Sequence, residues 1–379
     1  MTLNHGRRHV LPALAFLAWA NLAPAQTPLA YWDVPRKGAN LFDGRETAER
    51  LQAAAREGIS FVRMAPNKWP TAARDFLLGD ADDYLGLVPA DLERLRATLG
   101  EADAAGLKVV LTTLSLPGAR WAQQNGGERD RRLWTDERWP AQAEAFWRDL
   151  ASALRGTPGL AAYNLLNEPY PEAAAPGFER LGPARWDESV RGGPADLNRF
   201  NARLVRAIRA VDSATPILLD VGLFADPGRF ESLLPVDHPA VLYAFHMYEP
   251  FTYTNRKRNG GRFAYPGPVP DDAPGGRKRL WDAVALEEYL EPVRSWQGRH
   301  GVPSSRIMAA EFGCHRLSRG ADRYLDDLLR IFDRRGWHWA FYAFREDTWD
   351  GMDYEKGPRP LFPILRRALA GSPRPSAPP

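Results

Sequence analysis

The chain has 379 residues, 44% apolar and 26% charged, with a formal net charge of +3. This composition suits a globular protein with a large core, and a nearly balanced charge without a basic stripe argues against a nucleic-acid partner. Its one cysteine, Cys314, excludes an internal disulfide framework and a cysteine-ligated metal centre; without a base partner in the sequence it reads as a small packing residue.

Residues 1–25 read as an export signal. Arg7 and Arg8 precede an uncharged, Leu/Ala-rich run, and Ala23-Pro24-Ala25 forms a small-x-small cleavage site before Gln26. The apolar run is short of the roughly 20 residues a spanning helix needs. An uncleaved anchor and a twin-arginine signal are the other readings, the latter with poorly fitting flanks. The expectation is a periplasmic or secreted protein, monomeric and without a membrane span once processed. Residues 371–379 read as a disordered Pro-rich tail.

Residues 26–370 contain no linker, so a single domain is expected. Apolar strands at residues 38–42, 59–65, 107–114, 160–167, 216–221, 240–246, 307–312 and 337–344 alternate with helical patterns at 46–56, 89–105, 139–155, 195–211, 227–234, 283–299, 321–335 and 361–370. Eight repeated strand–helix units predict a closed (β/α)₈ TIM barrel of the α/β class. An open doubly wound sheet would usually carry a glycine-rich phosphate loop after its first strand. The sequence there is Phe42-Asp43-Gly44-Arg45, so no nucleotide cofactor is expected.

Two strands end in a glutamate. Residues 160–166 form an apolar run closed by Asn167-Glu168-Pro169, and Ile307-Met308-Ala309-Ala310 leads into Glu311-Phe312-Gly313. Proline cannot extend a ladder and biases the residue before it toward extended backbone, which puts Glu168 at the rim of the sheet. In barrels of this kind the C-terminal strand ends carry the chemistry. Arg63, His246, Tyr248 and Tyr342 stand at other strand ends. The long loops also follow strands, and they hold Tyr253 and Trp69, Trp121, Trp134, Trp186 and Trp281, five of a high total of 13 tryptophans. Aromatic faces at a cleft suit a saccharide, although about half of these rings are expected only to cover the barrel end.

Two carboxylates suit glycoside hydrolysis, one protonated to serve the leaving oxygen and one ionised to attack the anomeric carbon. No HExxH motif or serine elbow offers another chemistry, and no metal is expected. The loop at 247–282 carries Arg256, Lys257, Arg258, Arg262, Arg277, Lys278 and Arg279 against Glu249, Asp271, Asp272 and Asp282. It shows no clear helix, and reads either as solvated surface or as a cleft wall favouring carboxylate-bearing glycans.

Asn167-Glu168-Pro169, His246-x-Tyr248 and Glu311-Phe312-Gly313, together with Gly38-Ala39-Asn40, resemble glycoside hydrolase family 5, the cellulase family of retaining barrel enzymes. The resemblance implies that Glu168 is the acid/base and Glu311 the nucleophile. It also implies that Asn167 binds the sugar 2-hydroxyl, Arg63 and Tyr248 support Glu311, and His246 lines the cleft near Glu168. Tyr342, Trp121, Trp134 and Trp281 complete the expected sugar contacts. The implied activity is hydrolysis of a β-linked polysaccharide, most directly a β-glucan. A β-mannanase, an exo-β-glucosidase, a transglycosylase or a non-catalytic carbohydrate-binding barrel are the alternatives. Two positions depart from the family pattern: Leu114 stands where a histidine is common, and Tyr342 or Phe344 where a tryptophan is usual.

Overall fold

The computed structural model describes Met1 and residues 28–270, 277–347, 349 and 351–371; the expected signal and nearly all of the expected tail lie outside them. The strands are β1 (Lys37–Leu41), β2 (Phe61–Met64), β3 (Lys108–Thr112), β4 (Leu160–Asn164), β5 (Ile217–Asp220), β6 (Val241–Met247), β7 (Gly267–Pro270), β8 (Lys278–Trp281), β9 (Ile307–Phe312) and β10 (His338–Phe341). Eight of them form a closed parallel barrel in the order β1-β10-β9-β6-β5-β4-β3-β2, while β7 and β8 pair antiparallel as a separate ribbon. The fold is the (β/α)₈ barrel that the alternating pattern predicts.

Side-chain alternation along the strands sorts the core into two layers. On β2, Phe61 points into the barrel, while Val62 and Met64 pack outward under the helices. The interior is filled by Val110, Leu218, Leu242 and Met308 with small residues such as Ala162, Ala244 and Ala340 between them. Trp32, from the turn Pro28–Asp33, is fully buried in this layer and donates its indole N–H to the Ala161 carbonyl at 3.1 Å. Truncating it to alanine would cost roughly 3–5 kcal/mol. Outside the strands, the helices are amphipathic. Leu197–Arg209, for example, buries Phe200, Leu204 and Ile208 and is capped by Asp196, whose carboxylate accepts the Arg199 N–H.

The differences from the sequence reading have local causes. The helix expected over 283–299 is two helices, Ala283–Tyr289 and Glu291–His300. Pro292, in the first turn of the second, has no N–H with which to continue the first. The stretch at 227–234 is a 3₁₀ turn, Pro227–Ser232. The loop after β6 has more order than expected, with short helices at Phe251–Thr254 and Arg256–Asn259 and then the β7–β8 ribbon. The loops after β2 and β3 are fastened together by a buried arginine. Arg120 and Asp75 are each only 2% exposed in their side chains and pair at 2.9 Å, and Arg120 also reaches Asp80 and Asp82.

Candidate active site

Arg63 organises the top of the barrel. Inward at the end of β2 and fully buried, it donates Nε–H to Asn164 at 2.8 Å and Nη2–H to Asn167 at 2.7 Å. Its Nη1–H groups reach Glu311 at 2.6 Å and Asn40 at 3.1 Å, and Nη2 lies 3.3 Å from Asp220. A guanidinium offers five donors in a fixed fork, so one residue can set four strand ends at once. Its removal would leave Glu311 and Asp220 to share His246 as their one buried counter-charge, and breaking a buried pair in such settings costs about 3–5 kcal/mol.

Glu311 owes its direction to a bulge. Along β9, Met308 and Ala310 face the barrel interior, so strict alternation would turn Glu311 outward. The pairing with β6 slips here: Ala309 lies opposite Phe245 but Glu311 lies opposite His246. The extra residue, Ala310, brings Glu311 to the inward face beside His246, as bulges next to active sites commonly do. Its two oxygens are then held separately, Oε1 by Arg63 at 2.6 Å and Oε2 by the Tyr248 hydroxyl at 2.8 Å.

Glu168 is held differently. β4 ends at Asn164, earlier than the sequence suggested, and Glu168 takes a left-handed backbone with φ of 51°. The extended conformation expected before Pro169 is therefore not adopted. A non-glycine residue at positive φ is strained, and such strain gathers where function demands a particular side-chain position. The Glu168 N–H donates to Asp220 Oδ2 at 3.2 Å, which helps to hold the turn. About a third of the Glu168 side chain reaches solvent, and Oε1 lies 3.0 Å from His246 Nδ1.

The charges decide which groups keep protons. Burial alone would push His246 down, but the carboxylates of Glu311, Asp220 and Glu168 outweigh it and hold its pKa at about 9. His246 is therefore imidazolium at neutral pH, and its Nδ1–H donates to Glu168. Burial would raise Asp220, but Arg63 and His246 pull it below the usual carboxylate range. Arg63 and His246 thus balance Asp220 and Glu311. A charge on Glu168 would be a fifth, uncompensated one, and desolvation raises its pKa despite the His246 hydrogen bond. Single polar atoms of Glu168, His246 and Glu311 lie within 4.8 Å of one another. That spacing is close enough for ligands to a shared cation.

The structure thus gathers Glu168, Glu311, Arg63, Asn167, His246 and Tyr248 around one point. Beside Glu168 opens a cavity of about 730 Å³ lined by Trp121, Trp134, Tyr170 and Phe224 among others. Trp121 is partly exposed with Lys68 Nζ 4.8 Å from its ring centroid, whereas Trp134 is only 5% exposed. Leu114 and Tyr342 pack in one small apolar cluster with Phe42, Trp121 and Tyr248 at the floor. Trp281 is buried in the β7–β8 ribbon against Tyr289 and Arg279. Trp69, Trp186 and Tyr253 are buried too, so more than the expected half of these rings pack inward and only Trp121 is partly exposed. Sequence reasoning missed Asp220, Asn164 and Trp349. Asp220 closes β5 as the glutamates close their strands, and that was its available signal.

Comparisons with known proteins place the chain in a family. Residues 30–348 match the family model described as cellulase (glycosyl hydrolase family 5). Endoglucanase C of Acetivibrio thermocellus is 24% identical over 217 residues, 57% of this chain and 54% of that protein; the chain spans about half the length of the curated relatives it matches. Among solved structures, endoglucanase Cel5A of Thermotoga maritima superposes with a TM-score of 0.65 at 17% identity, covering 91% of this chain and 100% of that one. Endoglucanase Cel5A of Pseudomonas stutzeri gives 0.61 at 18% identity, covering 89% and 97%. At such identity the superpositions show the barrel alone, and the family follows from the matched residues: the chain belongs to the cellulase family, glycosyl hydrolase family 5.

Proposed function

We propose that the protein is a retaining glycoside hydrolase that cleaves a β-linked polysaccharide, a β-glucan in the first instance, by double displacement. The observation that carries this reading is the pairing of two carboxyl groups in different surroundings at short range. Glu311 is fixed by Arg63 and Tyr248 with both oxygens directed, while Glu168 is biased toward its protonated form. Oxygens of the two lie within 4.8 Å of each other, near the roughly 5–5.5 Å of retaining enzymes and well below the separation that leaves room for an attacking water. In the first step Glu311 attacks the anomeric carbon, the glycosidic bond breaks, and Glu168 gives its proton to the departing oxygen. In the second, Glu168 takes a proton from water, which displaces Glu311 and keeps the original anomeric configuration. Asn167, whose Oδ1 accepts from Arg63, would bond the sugar 2-hydroxyl.

A glucan substrate is supported by the endoglucanase relatives. A mannan is the second reading, because the Thermotoga maritima protein has been solved in complex with both cellobiose and mannotriose. Leu114 and Tyr342 sit at the floor of the site and would shape that choice. We further propose export, from the leader at residues 1–25, and a monomer. No helix among the described residues is long and apolar enough to cross a membrane. The test is an NMR time course of hydrolysis of a β-glucan oligosaccharide. Initial release of the β-anomer is expected, and initial release of the α-anomer would overturn the mechanism.

A further inference from the structure

A second, half-open cavity lies beside Tyr248, the residue that donates to Glu311. It shares no lining residue with the cavity beside Glu168. Its walls come from the two short helices of the β6 loop, from the segment after β9 at Cys314-His315, and from Trp349. Trp349 is 42% exposed and stands edge-on to both Tyr248 and Tyr342 at 5.6 and 6.0 Å between ring centroids. Among the described residues, the lining includes Arg256 and Lys257 and no acidic side chain.

Arg256 is built into this wall. Its Nη1–H donates to the Leu317 carbonyl at 3.0 Å, and the guanidinium packs over Gly261, where a Cβ would collide with Nη1. These contacts fix the fork without neutralising it. Among the described residues no carboxylate lies within ion-pair reach of Arg256, and neither Nε nor Nη2 has a hydrogen-bond partner. Most other basic residues of the loop are engaged elsewhere: Arg262 donates to the Asn259 carbonyl, Arg279 lies over Trp281 and Arg258 over Phe251.

A positioned guanidinium without a counter-ion among the described residues, beside a partly exposed indole in a cavity that reaches the nucleophile's own hydrogen-bond partner, fits an anionic sugar. We propose that this cavity is a subsite for a sugar residue bearing a carboxylate, a uronic acid unit. The side-on Nε/Nη2 edge of Arg256 would bind that carboxylate in bidentate fashion, and Trp349 would cover the apolar face of the ring. The assignment rests on the glycosidase reading and narrows its substrate class.

The test compares short β-1,4-linked gluco-oligosaccharides with the same oligosaccharides oxidised at C6 to carboxylates. Each is titrated calorimetrically into Glu311→Gln protein, with Arg256 intact, as Arg256→Ser and as Arg256→Lys. With Arg256 the oxidised form should bind about tenfold tighter, and the ratio should shrink as salt screens the pair. It should fall close to one in Arg256→Ser and to an intermediate value in Arg256→Lys, which keeps the charge but loses the fork. A ratio near one with Arg256 in place, or a ratio that survives Arg256→Ser, overturns the subsite. Turnover of an aryl β-glucoside by the unmodified enzyme reports on the glycosidase reading separately. No turnover with the ratio intact removes that reading and leaves a uronate-binding subsite; turnover with a ratio near one removes the subsite alone.

Discussion

The end of β4 and the end of β9 both present a glutamate to one cleft, yet the two carboxyl groups stand in different surroundings. At β9 a bulge turns Glu311 inward, where Arg63 and Tyr248 each take one oxygen. At β4 a left-handed residue carries Glu168 past the end of the ladder, where its one close polar partner is an imidazolium and a third of it faces solvent. The first site holds an anion in a chosen orientation. The second holds a carboxyl that can gain and lose a proton through the open cleft. Strand position brings both residues to one cleft, and their neighbours differ in the way that, on the proposed mechanism, would let two carboxyl groups divide acid and nucleophile duties.

The largest effect should come from breaking the β9 side. Glu311→Gln keeps the shape and removes the nucleophile, so turnover should fall by roughly 10⁴-fold or more on every glycoside, as when other covalent nucleophiles are lost. An activity loss below tenfold would rule Glu311 out as the nucleophile. On the β4 side the effect should depend on the substrate. Glu168→Gln should cost about 10²–10⁴-fold on natural oligosaccharides, whose leaving alcohol needs a proton, and far less in the first step on a dinitrophenyl glycoside, which does not. Pre-steady-state measurement of that first step is the check, and equal losses on both substrates would remove the distinction between the two strand ends.

The barrel was legible because eight strand–helix alternations leave few topologies open, and every barrel strand falls within or close to its expected range. The two glutamates were legible because each closes an apolar run. Their orientations were not. Alternation along Met308, Ala309, Ala310 and Glu311 points the glutamate away from the cleft, and only the slip against Phe245 and His246 corrects it. Glu168 was expected to be extended before Pro169, whereas its φ is 51°, since tertiary contacts overrode the local preference. Tryptophan content drew attention to the loops but could not separate Trp121, at the cleft, from Trp281, inside the β7–β8 ribbon. That separation depends on which side of a loop packs down. Asp220 was overlooked because a buried aspartate at a strand end resembles a turn residue in sequence, and its partners come from β2, β4 and β6.

Asp220 also offers the finest test of the comparison, because it touches both sides. Its Oδ2 lies 3.3 Å from Arg63 Nη2, 3.4 Å from His246 Nε2 and 3.2 Å from the Glu168 nitrogen, and Oδ1 accepts from Asn164 at 2.9 Å. Asp220→Asn keeps the volume and removes one negative charge. Arg63 and His246 would then face only Glu311, and the cluster formed by His246 and Glu168 should release a proton at lower pH. Because those two groups titrate together, the proper readout is the alkaline limb of kcat/KM. It should move to lower pH, by on the order of one unit, while the His246 ring resonances in NMR titrate below the value of about 9 expected for the unmodified protein. The sign for stability is fixed by the same shift. A histidine held at about 9 against an ordinary 6.5 stabilises the fold fully below 6.5, and that contribution fades as pH rises through 9. The unmodified protein should therefore lose Tm across that window, and Asp220→Asn should lose less of it. If the limb, the ring resonances and the Tm slope all stay in place, Asp220 only packs between β4 and β6, and the raised pKa of His246 comes from the two glutamates alone.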